Sequence, residues 1–334
     1  MQKTFCKQTI NLSFLLLLFL VACSKSDATT PPPTSVSDPT TMPTVEQPTP
    51  TQDFSDLTVV LGYEGQAEYI AAARANPDSD LALLYQKHAV EPYWQQCAVG
   101  GEYVALAEGA TNPIRDLDRL EQMIQVLQNS EIETQIEAAY AQANQLLPGG
   151  STTICVFVTD PANTFIRDRM NGVGGLTAGA GKIWLQLYPE GKWEEWINYT
   201  ITHEYHHSVW TEQHYDENKP FYLIDYLVFE GRADTFAHQL YPELTAPWTN
   251  ALGAEEEIIQ WEAIQKILKT TSYQTLSDYM FGNQGRDIPL WTGYTIGFHI
   301  VQDFVEKHPE MPVEEWTAME AMDILEQSGY GIEK

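Results

Sequence analysis

Apolar residues recur every three to four positions through "LDRLEQMIQVLQ" and "IETQIEAAYAQANQLL". That period puts them on one face of a helix. The spacing predicts helices over 64–76, 80–96 and 115–147, the last of them stopped by "PGG" at 148–150. The pattern then changes. "TTICVFVTD" at 152–160 is apolar and β-branched, which predicts a buried strand. "GVGGLTAGAGKIWLQLYP" at 172–189 reads as two short strands around a Gly-rich turn. Beyond Trp193 the pattern is helical, with breaks at Pro220, Pro242, Pro247, Gly282–Gly285 and Pro309–Pro312. No internal repeat is present. The fold class this predicts is α+β: helices, a small mixed sheet, then a mainly helical C-terminal half.

The first fifty residues do not belong to that pattern. Lys3 and Lys7 precede the apolar run "INLSFLLLLFLVA", which has the length of a signal sequence and is short for a membrane-spanning helix. The run ends in Leu20-Val21-Ala22-Cys23, which resembles the lipobox of bacterial lipoproteins. The resemblance implies cleavage before Cys23 and a lipid on its thiol. It also implies an extracytoplasmic, membrane-anchored bacterial protein, on the outer membrane or cell surface if the cell is Gram-negative. Residues 24–52 are mostly Ser, Thr, Pro and Asp and bury no apolar surface. The expected division is a signal peptide over 1–22, a lipidated Cys with its Pro/Thr-rich tether over 23–56, and a globular domain over 57–334.

Composition narrows the possibilities. The 334 residues carry 18 Lys and Arg against 46 Asp and Glu, a net charge of −28. No basic stripe exists, so nucleic acid is not an expected partner. Of the four cysteines, Cys6 lies in the signal and Cys23 is the lipid site. Cys97 and Cys155 are too far apart for a CxxC site; outside the cytoplasm they can form a disulfide or remain two buried thiols, and the sequence leaves both open. The Gly-rich turn is no phosphate loop: Gly181-Lys182 precedes Ile183, and Leu176 stands where the first Gly would be.

The chemistry is concentrated in "WEEWINYTITHEYHHSVW". It contains no Gly or Pro, and Trp193, Trp196, Ile197 and Thr200 stand at helical spacing. The same stripe reaches His203, Glu204 and His207. Imidazoles four residues apart can reach one zinc ion, and the adjacent Glu204 can act on a water that the metal acidifies. This is the H-E-x-x-H arrangement. His206 with His203 would make an i,i+3 pair, but would leave Glu204 poorly placed as a base; His206 is therefore expected on the helix flank.

A catalytic zinc needs a third protein ligand and an open position. The metzincin position six residues past His207 holds Gln213, and His214 is off by one. Downstream, Glu230 and Asp234 form an E-x-x-x-D pair in "FYLIDYLVFEGRADTFAHQL". The pair resembles the second helix of gluzincin peptidases. In that resemblance Glu230 is the third ligand, and Asp234 accepts a hydrogen bond from a ligand histidine. Twenty-two residues lie between His207 and Glu230, room for a turn at "DENKP" and an antiparallel return with the ion between the helices. Asp225 and Glu217 are weaker alternatives.

Taken together, "HEYHH", "VFEGRAD" and "WTGYTIGFH" resemble a family of bacterial domains described as zinc-dependent proteases, over about residues 60–330. The resemblance implies a zincin-like fold with the zinc helix on the cleft floor, one Zn2+ per chain and a peptide or protein substrate. It implies an edge strand before the zinc helix that pairs with substrate, here "KIWLQLY" or "GGLTAG". It also points to Tyr294 as the group that stabilises the reaction's oxyanion, with His299 and His238 as second choices. The expected function is a zinc metallopeptidase. The alternative is a non-catalytic zinc-binding surface lipoprotein acting in binding or folding assistance. Oligomeric state is not legible.

Overall fold

The computed structural model describes residues 56–331; the signal, Cys23 and tether expectations lie outside them. The described residues open with a four-residue strand, β1 (Leu57–Val60), that the periodicity missed because it is so short. Helix α1 (Tyr63–Ala75) follows. The next segment, expected as one helix, is three: α2 (Leu81–Tyr85), a π-helical turn over Gln86–Val90, and α3 (Glu91–Cys97). Pro92 has no N–H to give the carbonyl four residues back, and the helix widens just ahead of it. A short helix α4 (Val104–Glu108) leads to α5 (Leu117–Gln128) and α6 (Ile132–Leu146), which divide the predicted 115–147 segment. Asp116 caps α5, accepting the Arg119 N–H at 3.0 Å.

Strand β2 (Thr152–Val158) and the short α7 (Thr164–Arg169) precede the hairpin β3 (Val173–Gly179) and β4 (Lys182–Leu187). The sheet order is β1-β2-β4-β3. β1 and β4 run parallel to β2, and β3 runs antiparallel to β4. This corrects one expectation. "KIWLQLY" contributes the inner strand β4, so of these two candidates it is the "GGLTAG" strand, β3, that lies at an edge.

Both sheet faces are buried. Ile154, Val156, Val158, Ile183, Leu185 and Leu187 face the main core. Cys155, Phe157 and Trp184 face a smaller one with Val60, Cys97 and Ala98. Cys97 and Cys155 are bonded as a disulfide that ties α3 to β2, settling the alternative left open above.

The remainder is helical: α8 (Trp193–His214), α9 (Leu223–Leu240), α10 (Ala254–Ile264), α11 (Tyr273–Phe281), α12 (Thr292–Lys307), α13 (Val313–Ala318) and α14 (Ala321–Ser328). Every residue from Tyr199 to Val209 of α8 is buried. Helix α8 is enclosed by β3, β4, α6, α9 and α13. That explains why it carries apolar and polar residues all round instead of one apolar stripe. Helices α9 and α12 touch backbone to backbone. A Cβ on Gly297 would lie 1.9 Å from the Leu227 carbonyl oxygen, and one on Gly231 2.1 Å from that of Gly297. Only glycine permits this approach, and it brings α12, with Tyr294, onto the helix that carries Glu230. No described helix is long and apolar enough to cross a membrane.

Candidate metal centre

Two helices build the centre. His203 faces Asp234, with Nδ1 3.0 Å from Oδ1, and His207 faces Glu230, with Nε2 3.2 Å from Oε2. As the position on α8 rises by four, that on α9 falls by four, so the helices run antiparallel. His203 Nε2, His207 Nε2 and Glu230 Oε2 form a triangle with edges of 3.0, 3.2 and 3.3 Å. Each atom offers a lone pair, and together they make a cluster able to hold a metal ion. Tetrahedral bonds of about 2.0–2.1 Å require ligand atoms roughly 3.3 Å apart, and the triangle fits zinc on that test.

The surroundings fix the ligands. Asp234 is fully buried and a carboxylate can only accept, so His203 Nδ1 carries the hydrogen and Nε2 is left for the metal. The same Asp234 oxygen accepts from Trp248 Nε1–H at 2.8 Å and the Tyr199 hydroxyl at 3.1 Å. Neither partner was recognised in the sequence, since only tertiary packing brings them to α9. The His207 ring is held differently. It stacks on Phe229 with centroids 4.0 Å apart, and its Nδ1 is buried without a partner among the described residues. Burial alone would raise the pKa of Glu230, but His207 and His203 in front of it bring it down to about 2. Burial opposes the protonation of His203, yet the carboxylates of Asp234, Glu230 and Glu204 hold its pKa well above the usual histidine value.

Glu204 lies beside this triangle. Its Oε2 accepts from the Thr177 hydroxyl at 2.9 Å. A Cβ on Gly175 would come within 2.6 Å of its Cγ and Oε1, so the strand passes the acid too closely for any side chain at that position. Burial raises the Glu204 pKa, while His203, His207 and Thr177 pull against it. The acid is thus placed by β3, another contact with no local signal in the sequence. Tyr294 reaches the same region. Its hydroxyl pKa is raised well above the usual value by burial and then by Glu230, Asp234 and Glu204. The phenol therefore stays protonated at neutral pH.

The other candidates fall elsewhere. His206 is stacked on Trp316 at 5.6 Å, with Nε2 3.2 Å from Thr317 Oγ1, and its pKa is driven well below the usual value by burial, then by His207 and Arg232. His214 packs beside Trp210 at the end of α8. Asp225 caps α9 through the Tyr222 N–H at 2.8 Å, and Glu217 is exposed in the turn before it. His238 Nδ1 meets the Leu244 carbonyl at 3.2 Å, and His299 Nδ1 meets Glu257 at 2.7 Å. Both contacts use Nδ1.

With this arrangement of zinc-type donors beside a buried acid, the chain falls in a known class. Residues 132–326, more than half of the chain, match the family described as "Predicted Zn-dependent protease (DUF2268)", and the chain belongs to that family. It is also similar to the "Uncharacterized protein YjfC" of Bacillus subtilis (strain 168), 27% identical over 235 residues that cover 65% of this chain and 76% of that protein. No solved structure matches.

Proposed function

We propose that the protein is a zinc metallopeptidase of gluzincin type, with His203, His207 and Glu230 as ligands and Glu204 as general base. The observation that carries this reading is the ligand triangle with edges of 3.0–3.3 Å beside a buried acid. Bound there, zinc supplies Lewis-acid polarisation of a carbonyl and lowers the pKa of a water molecule. Glu204 would take a proton from the attacking water and deliver it to the departing amine. Its raised pKa brings it nearer to both tasks. Thr177 holds the carboxylate on the strand side. Asp234 orients His203. The Tyr294 hydroxyl donates to the oxyanion that forms on the attacked carbonyl. The outer edge of β3 offers backbone groups to an extended peptide, which joins the sheet as a further strand.

Lipid anchoring through Cys23 after loss of residues 1–22 belongs to the same proposal, as does a zincin-like domain from residue 57. A Cys23→Ser variant should leave the membrane fraction; retention there would count against the anchor. For the catalytic reading, Glu204→Gln should keep zinc and lose about 10²–10⁴ in rate. Zinc binding without turnover by the wild type would favour the non-catalytic surface lipoprotein instead.

A further inference from the structure

Among the described residues, β3 ends the sheet on the side beyond β4. In an antiparallel pair, alternate residues turn their N–H and C=O away from the partner strand, so β3 presents part of its backbone outward beside Glu204. After α3, residues 98–103 cross that edge as a strap. The Tyr103 N–H donates to the Ala178 carbonyl at 2.9 Å, and the Ala180 N–H donates to Glu102 Oε2 at 2.9 Å. The approach is backbone against backbone, for a Cβ on Gly101 would lie 2.1 Å from the Ala178 oxygen. The strap is pinned on both sides. The Cys97–Cys155 disulfide holds its start to β2. At its end, the Tyr103 ring packs on Tyr215 with centroids 5.5 Å apart and its hydroxyl meets Thr211 Oγ1 at 3.4 Å. Thr177, which holds Glu204, is the residue just before the strap begins to cover the edge.

We infer that the strap makes this site selective for the amino ends of peptide chains, so that bonds within a residue or two of a free amino terminus are the ones that reach Glu204. The inference rests on the peptidase reading above and on β3 as the strand that pairs with substrate. Antiparallel pairing is the more stable kind, and an antiparallel chain brings its amino-terminal part to the C-terminal end of β3. That is the end the strap closes. At about 3.3 Å per residue, a chain continuing past Thr177 meets Gly101 and Tyr103 almost at once. Charge agrees with this direction, because the exposed Glu102 carboxylate at the closed end favours an ammonium over a carboxylate.

The test is a binding measurement on the full-length Glu204→Gln variant, loaded with zinc. The probe is one pool of random twelve-residue peptides, coupled to a folded carrier protein by the carboxyl end or by the amino end. The pool with free amino ends should bind at least about tenfold more tightly, since its chain can stop at the strap. Equal affinity of the two pools, tighter binding of free carboxyl ends, or no binding of either would overturn the inference. The Tyr103→Pro variant, which loses the N–H bonded to Ala178, should bring the two affinities within about threefold. If it does not fold, Tyr103→Ala, which loses the anchor on Thr211 and Tyr215, should narrow the ratio. An undiminished ratio in a folded strap variant would also overturn the inference. A clear preference for free amino ends with no hydrolysis by the wild type would refute the peptidase reading and leave the strap's selectivity standing.

Discussion

Asp234→Ala isolates the link between the α9 carboxylate and the metal. In the native chain one Asp234 oxygen accepts from His203 Nδ1, Trp248 Nε1 and the Tyr199 hydroxyl at 3.0, 2.8 and 3.1 Å. Alanine leaves two buried donors, His203 Nδ1 and Trp248 Nε1, without an acceptor, each costing about 1–3 kcal/mol, while the Tyr199 hydroxyl keeps the backbone carbonyl of residue 234 at 3.3 Å. With some relaxation and water entry, the total is roughly 2–5 kcal/mol, a large share of a typical domain's net stability. A fall in Tm of roughly 5–15 °C follows for a domain of this size. The His203 ring also loses the bond that selects its tautomer, so zinc affinity should fall by about 10–100-fold. Asp234→Asn keeps an acceptor oxygen but not the charge. It should lose less than half as much stability and about tenfold in zinc affinity. Calorimetry in chelator gives the stability change, and competition with a fluorescent chelator gives the zinc affinity. A folded Asp234→Ala protein that bound zinc within about twofold of wild type would refute the reasoning.

Gly175→Ala places a Cβ 2.6 Å from Glu204 Cγ and Oε1 and 2.7 Å from Thr200 Cγ2. It should displace the base and lower kcat by about 100-fold while zinc content stays unchanged, checked by metal analysis beside peptide turnover. Tyr294→Phe should lower kcat by about 10²–10³ with little change in KM; an unaltered kcat would leave the tyrosine only a packing role. Acid stability should depend on Glu257, where burial is outweighed by the His299 and Tyr330 contacts, so that the folded pKa lies below 4.5. A depressed carboxylate stabilises the fold above its unfolded pKa and loses that contribution as pH falls through the folded value. Glu257→Gln should therefore lose stability at neutral pH and show a shallower decline in Tm below pH 4.5 than wild type, followed by thermal melts.

How much of this was legible in the sequence depends on whether a contact is local. His203, Glu204 and His207 share a turn of one helix, and Glu230 and Asp234 share a turn of another. Their relative placement follows from the 3.6-residue period. The meeting of the two pairs came from a family resemblance, because no local rule fixes which faces of two helices oppose. Thr177, Gly175, Tyr199 and Trp248 carried no signal, since β3, α8 and the segment after α9 meet only through packing. Strand order was equally hidden. "KIWLQLY" and "GGLTAG" look alike as strands, and the parallel pairing of β4 with β2 decides which is the edge. The glycines of "VFEGRAD" and "WTGYTIGFH" were visible as motif residues, but their reason, the backbone contact of α9 with α12, was not. The disulfide was undecidable from spacing because the fold, and not the chain, brings α3 to β2.

The central claim is that the α8 and α9 cage holds zinc for hydrolysis and that Glu204 is the base. Metal content of the untagged protein, combined with cleavage profiling of proteome-derived peptides by wild type and Glu204→Gln, tests it most directly. The account predicts close to one zinc per chain in both proteins and cleavage by the wild type alone. Less than about half an equivalent of zinc in the wild type, or equal cleavage by the Glu204→Gln variant, would contradict it.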